Sequence, residues 1–140
     1  MRASSDGREP CIAEQIALIE SGQLDESAIA FISYLHAVRA AAHDAGDWIV
    51  AWLDRVSWVD DLFYSDAFLP LYRVRLLHRV VEISCLEDDW RAVAAGPMED
   101  VIAGAGLPHF DLALAEAHVR AESDLAFRRV LEAAASGVWH

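Results

Sequence analysis

Apolar positions recur every three to four residues along most of this chain. Ile12, Ile16 and Ile19 set the spacing after Pro10, which suits the first position of a helix, and Gly22 interrupts it. Ile29, Ile32, Leu35 and Val38 resume it behind Asp25 or Ser27, either of which suits an N-cap, and Gly46 closes that run. Asp47 opens a third segment in which Trp48, Trp52 and Val56 fall four apart, with Ile49 and Leu53 widening the stripe and a break near Ser57. Pro70 fits only a first helical turn, so the next helix starts at 67–70 and carries Val74, Leu77 and Val81 on one side. "EDDWRAVAA", "PMEDVIAGAG", "LPHFDLALAEAHVRAE" and "SDLAFRRVLEAAAS" follow, the last capped by Ser123 or Asp124. Runs such as "HRVVEIS" have flanks that stay periodic at 3.6, so no strand is expected. The pattern predicts an all-α fold of about seven or eight helices, in a compact bundle or a short array of stacked hairpins. It assigns residues 10–140 to a single helical domain and residues 1–9 to a disordered N-terminus.

The stretch "AAGPMED" sits between two helical runs. Gly96 has no side chain and can adopt the left-handed conformation that ends a helix. Pro97 has no N–H and a φ fixed near the helical value, which suits the first position of a new helix. Glu99 and Asp100 then fall in that helix's first turn, at the positive end of its dipole, while Met98, Val101 and Ile102 give it an inward side. The stretch reads as a corner with almost no linker.

Over roughly residues 86–139, which include this corner, the chain resembles a family of small uncharacterised bacterial proteins that carry an Ala-Gly-Pro-Leu-Glu-Asp-Leu-Leu motif, a Gly before the next helix, a Phe-Arg pair and a terminal Val-Trp. The matching residues are Ala95, Gly96, Pro97, Glu99, Asp100, Gly106, Phe127, Arg128, Leu131, Val138 and Trp139, with Met98 and Val101 standing where the family has leucines. The resemblance covers the C-terminal part of the chain only. It implies an all-α fold and no particular activity. Trp139 is expected to fold back beside the Gly96–Pro97 corner together with Phe127.

Composition narrows the function. The 140 residues carry a formal charge of −12, with eleven Arg and no Lys, and 55% are apolar, including five Trp. An acidic surface cannot neutralise phosphates, which argues against direct nucleic-acid binding. The first ten residues lack an apolar core of the secretory kind, and no apolar run is long enough to span a bilayer, so the expected compartment is the cytoplasm. Cys11 and Cys85 sit in no metal or redox spacing and read as reduced, mostly buried thiols.

Catalytic signatures are missing. No Gly-x-Ser-x-Gly or catalytic Cys pattern occurs, and "AGAGLP" lacks the Lys of a phosphate-binding loop. His43/Asp47, His78/Glu82 and His118/Glu122 have i, i+4 spacing, a common ion-pair spacing, whereas a metal needs three or more converging ligands. His43–Asp44 is similar to the His-Asp pair of metal-dependent phosphohydrolases, but His36 is too close upstream to be their first ligand. The adjacent acids Asp60–Asp61 and Asp88–Asp89 read as solvated. No catalytic residue, metal ligand or cofactor is therefore assigned.

Two surfaces remain. Tyr72, Arg75 and Arg79 share a stripe on the one basic helix, either as an anion-accepting patch or as an internal ion-pair face against Glu87–Asp89 or Asp60–Asp61. The Trp-rich segment either runs through the centre of the domain or turns part of its Trp face to another chain, in which case Trp58 and Phe63 or Tyr64 are the exposed anchors and Asp54, Asp60 and Asp61 form the charged rim. The sequence points to a non-catalytic acidic module that binds another protein with a basic surface, as immunity proteins and phage-borne inhibitors of bacterial defence systems do. The alternative is a small metal-dependent hydrolase using His and Asp from neighbouring helices. A homodimer joined through the Trp-rich helix is a third reading.

Overall fold

The computed structural model describes residues 11–44 and 46–140. The expected N-terminal tail and the placement of Pro10 at a helix start lie outside these residues. Among the described residues there are nine α-helices and no strand, and no helix is long and apolar enough to cross a membrane. The chain groups into two compact units, one ending at Phe68 and the other beginning at Leu69.

The first unit holds α1 (Ile12–Glu20), α2 (Asp25–Ala41), α3 (Asp47–Val56) and α4 (Trp58–Tyr64). Helix α2 packs on α3 and α4, and α1 packs on α4. Ile16 and Ile19 of α1 are buried, as the periodicity requires, along with Ala28 and Phe31 of α2. Ser27 donates to the Gln15 side chain at 2.8 Å, and Gln15 donates to Glu26 at 2.9 Å, so a polar link inside the unit ties α1 to α2. Phe63 meets Phe31 and Phe68 edge-on, with ring centroids 5.4 and 5.2 Å apart.

The Trp-rich segment breaks at Ser57, and the break decides which aromatics are outside. Ile49 is the residue of α3 that turns fully inward, so Trp48, one position away, faces out and is 62% exposed. Its ring stacks on Trp52 with centroids 6.1 Å apart, and the Trp52 indole N–H donates to Ser33 at 2.9 Å. Past the break, Trp58, Val59 and Leu62 point into the core at helical spacing. Trp58 is only 5% exposed and is a core residue, not the exposed anchor expected from the sequence.

The second unit holds α5 (Pro70–Ile83), α6 (Glu87–Ala95), α7 (Pro97–Ala103), α8 (Pro108–Ser123) and α9 (Leu125–Ser136). Proline opens α5, α7 and α8, where its missing N–H costs nothing. Ala113, Ala117 and Ala121 form a buried small-residue stripe on α8, which packs against α5, while α9 packs on α6, α7 and α8. Phe110 lies over Gly104, where a side chain would collide with its ring.

Gly96 is at once the last cap of α6 and the first cap of α7, so the corner has no linker. Its backbone is not left-handed as expected: φ is −124° and ψ is −98°. The left-handed helix end is found instead at Gly137, with φ 77° and its N–H bonded to Ala133 O at 2.8 Å. Asp89 also departs from expectation. It is fully buried and accepts a 2.6 Å hydrogen bond from Ser84, because the turn between α5 and α6 folds around that serine. Cys11 and Cys85 are exposed, not buried, since each lies just outside a helix.

Trp139 does turn back towards the corner. It shares a small pocket with Ala94, Ala95 and Glu99, and the Arg129 guanidinium stands 4.7 Å from its ring centroid. Arg129 also bonds Glu87 at 2.7 Å and the His140 carbonyl at 2.7 Å, which clamps the tail onto α6. Phe127 is absent from that pocket; it is fully buried against His78. Removal of Val138–His140 strips Arg129 of its ring and carbonyl partners and is expected to cost about 1–2 kcal/mol, read as a lower urea midpoint. An unchanged midpoint would show that the clamp contributes nothing.

Candidate functional site

Residues Arg75 and His78 lie one turn apart on α5, and Glu116 and Arg120 lie one turn apart on α8. Because α5 packs along α8, these side chains meet in sequence order. The Arg75 Nε donates to Glu116 Oε2 at 2.7 Å and its terminal nitrogen donates to Oε1 at 3.0 Å, the two-pronged geometry in which guanidinium and carboxylate match best. Arg120 Nε donates to the same Oε2 at 3.2 Å. The terminal nitrogen of Arg120 then reaches His78 Nδ1 at 2.9 Å, and His78 Nε2 lies 2.9 Å from Asp124 Oδ2. Asp124 Oδ1 accepts the Phe127 N–H at 3.1 Å and so caps α9. Five side chains form one continuous polar chain from α5, across α8, to the start of α9.

The chain fixes the state of its members. A guanidinium has protons to donate and no lone pair to accept with, so His78 Nδ1 must be the acceptor. The ring proton then sits on Nε2 and is donated to Asp124. Both nitrogens of this imidazole, which is 8% exposed and whose ring centroid lies 4.6 Å from that of Phe127, are occupied. Among the described residues no buried side-chain nitrogen or oxygen lacks a partner.

The acids respond in the same sense. The hydrogen bond from Arg75 holds the Glu116 carboxyl below the usual carboxylate range; burial works against it, and the charge of Arg120 adds to it. Burial alone would raise the Asp124 carboxyl, but the hydrogen bonds from His78 and the Phe127 N–H outweigh it and leave that group lowered too. Arg75 is raised chiefly by its bond to Glu116.

His78, Glu82 and Asp124 do offer three donor atoms within 4.8 Å of one another. A cation entering there would need the Nε2 lone pair, which carries the proton shared with Asp124. Moving that proton to Nδ1 would set an N–H against the Arg120 N–H. The arrangement therefore works against coordination for as long as Arg120 stays in place. It also differs from a catalytic His-Asp pair, in which the second imidazole nitrogen faces a nucleophile.

Of the expected anion patch, Arg75 is engaged by Glu116 and not by Glu87–Asp89 or Asp60–Asp61. For Arg75 the acid comes from α8, far away in sequence, because that helix lies across α5. Tyr72 lies beneath the Arg75 guanidinium at 5.4 Å, and Arg79 meets Glu82 loosely at 3.4 Å on the surface. The i, i+4 partner expected for His78 was Glu82; its hydrogen-bond partner is Asp124. Neither Glu116 nor Arg120 was singled out in the sequence, although their spacing of four is itself an ion-pair signal.

The first unit gathers the other candidates. Asp60 and Asp61 are exposed, Tyr64 is 79% exposed, and Phe63 is half-buried against two phenylalanines. Tyr34 of α2 belongs with them: burial, then the Asp60 carboxylate, then Tyr64 push its phenol above the ordinary value. Asp60 and Tyr64 lie one turn apart on α4. Neither Asp60 nor Asp61 makes an ion pair among the described residues. Comparison with protein families, curated proteins and solved structures returns no match to this chain.

The polar chain has a definite acid signature. Glu116 and Asp124 both bind protons less readily folded than unfolded. Their contribution to stability is present above the ordinary carboxyl range and is lost as pH falls through their lowered folded values. At neutral pH, Glu116→Gln is expected to cost about 1–3 kcal/mol. The gap between variant and wild type should close as urea titrations are repeated at pH values below about 4. A gap that stayed constant with pH would contradict this assignment of Glu116.

Proposed function

We propose that this protein is a non-catalytic binding module whose first unit docks on a basic protein. The observation that carries the reading is the exposed face of α4, where the Asp60 and Asp61 carboxylates stand within one turn of the Tyr64 ring, which is 79% exposed. An arginine side chain meets such a group in two ways at once. Its guanidinium stacks on the ring and pairs with the carboxylate. The charge of the unit supports the same partner, since residues 11–68 carry ten acids against two arginines. A field of that sign speeds encounter with a basic surface and makes binding depend on salt.

Immunity proteins and phage-borne inhibitors of bacterial defence systems are the class of small acidic protein this reading fits. The resemblance around Gly96 and Pro97 to small uncharacterised bacterial proteins is compatible with it and adds no activity. A metal-dependent hydrolase is less well supported, because the imidazole best placed for it has both nitrogens occupied.

Calorimetric titration with nona-arginine, and with nona-lysine as an equal-charge control, tests the reading. Nona-arginine is expected to bind more tightly, and to weaken by about tenfold or more when salt is raised from about 50 to about 300 mM. Tyr64→Ala and Asp60→Asn should each weaken it by about two- to fivefold. Equal affinity for the two peptides, or variants that bind like wild type, would contradict a built arginine site.

A further inference from the structure

The second unit contains a groove of about 480 Å³ between α8 and α9, with Ile102 of α7 contributing to its wall. Leu114 and Leu131 supply the rest of its apolar lining. Ala121 and Ala135, whose side chains are small, also line it. The volume lies in the range of sites for small organic molecules.

The polar groups at the groove are unequal in what they can offer. Arg128 is turned onto the end of α8, with its Nε donating to Ala121 O and its terminal nitrogen to Glu122 O, both at 3.2 Å. Its donors serve carbonyls that the end of a helix leaves unpaired. The carboxylates of Glu122 and Glu132 line the same groove, with the His118 imidazole one turn before Glu122, and neither carboxylate has a hydrogen-bond or ion-pair partner among the described residues. The site therefore combines an apolar body with two available acids.

From this complementarity we propose that the groove binds a small organic cation: an amine or ammonium group on an aliphatic or aromatic body. The body lies against Ile102, Leu114 and Leu131, and the positive group sits between Glu122 and Glu132. This site lies wholly in the second unit and is independent of the reading given to the first.

Three probes with one six-carbon chain separate the contributions: hexylammonium, hexanol and hexanoate. Titrations are followed by the backbone amide shifts of ¹⁵N-labelled protein. Hexylammonium is expected to bind most tightly and hexanoate least, with shifts centred on Ile102, Leu114, Leu131 and Ala135. The double variant Glu122→Gln/Glu132→Gln should weaken hexylammonium by at least about fivefold and leave hexanol unchanged. Ala135→Trp, at an exposed position that tolerates bulk, should abolish binding of both. Its spectrum and melting point report separately that it is folded. Equal binding of hexylammonium and hexanol, shifts centred elsewhere, no binding at all, or an Ala135→Trp protein that binds like wild type would each overturn the proposal.

Discussion

An arginine guanidinium donates hydrogen bonds and accepts none, and the second unit is organised around that constraint. Arg120 touches both Glu116 and His78, so it anchors one end of the polar chain by charge and sets the tautomer at the other. Once the His78 proton is on Nε2, Asp124 is its acceptor, and the other oxygen of Asp124 is free to cap α9. The start of the last helix, the seating of α8 on α5, and the burial of Phe127 against His78 are thus linked through one donor. Losing a single member leaves charged or polar neighbours without partners, which costs more than the bond itself.

This organisation bears on function. The His, Glu and Asp that come nearest to a metal-binding or acid–base constellation are held in a state that suits packing. The available acids and aromatics lie elsewhere: Asp60, Asp61 and Tyr64 in the first unit, Glu122 and Glu132 beside the groove in the second. The proposed binding role rests on these exposed groups.

Much of the architecture was legible because local rules suffice for it. Period 3.6 placed the helices, the three helix-opening prolines marked starts, and the last cap was narrowed to Ser123 or Asp124, of which Asp124 makes the bond. The break at Ser57 was visible too, but its consequence was not. Breaking the helix changed the register of the aromatics, so Trp48 faces out while Trp58 goes in, and no local signal says which way a restarted helix will turn. Asp89 was hidden for a similar reason: it is buried, and its bond from Ser84 forms across a turn. The partner of Arg75 depends on which helix crosses α5, a tertiary fact separated by 41 positions in the chain. Tyr34 could not have been joined to Asp60 and Tyr64 without knowing that α2 packs on α4.

The tautomer of His78 is the most direct test of this account. Long-range ¹H–¹⁵N correlation spectra of the imidazole ring distinguish the two neutral forms and the protonated form. At neutral pH the protein should show a single Nε2–H tautomer with Nδ1 unprotonated, and Arg120→Ala should release that preference. A proton on Nδ1, or an Nε2 signal displaced by a bound metal ion, would contradict it.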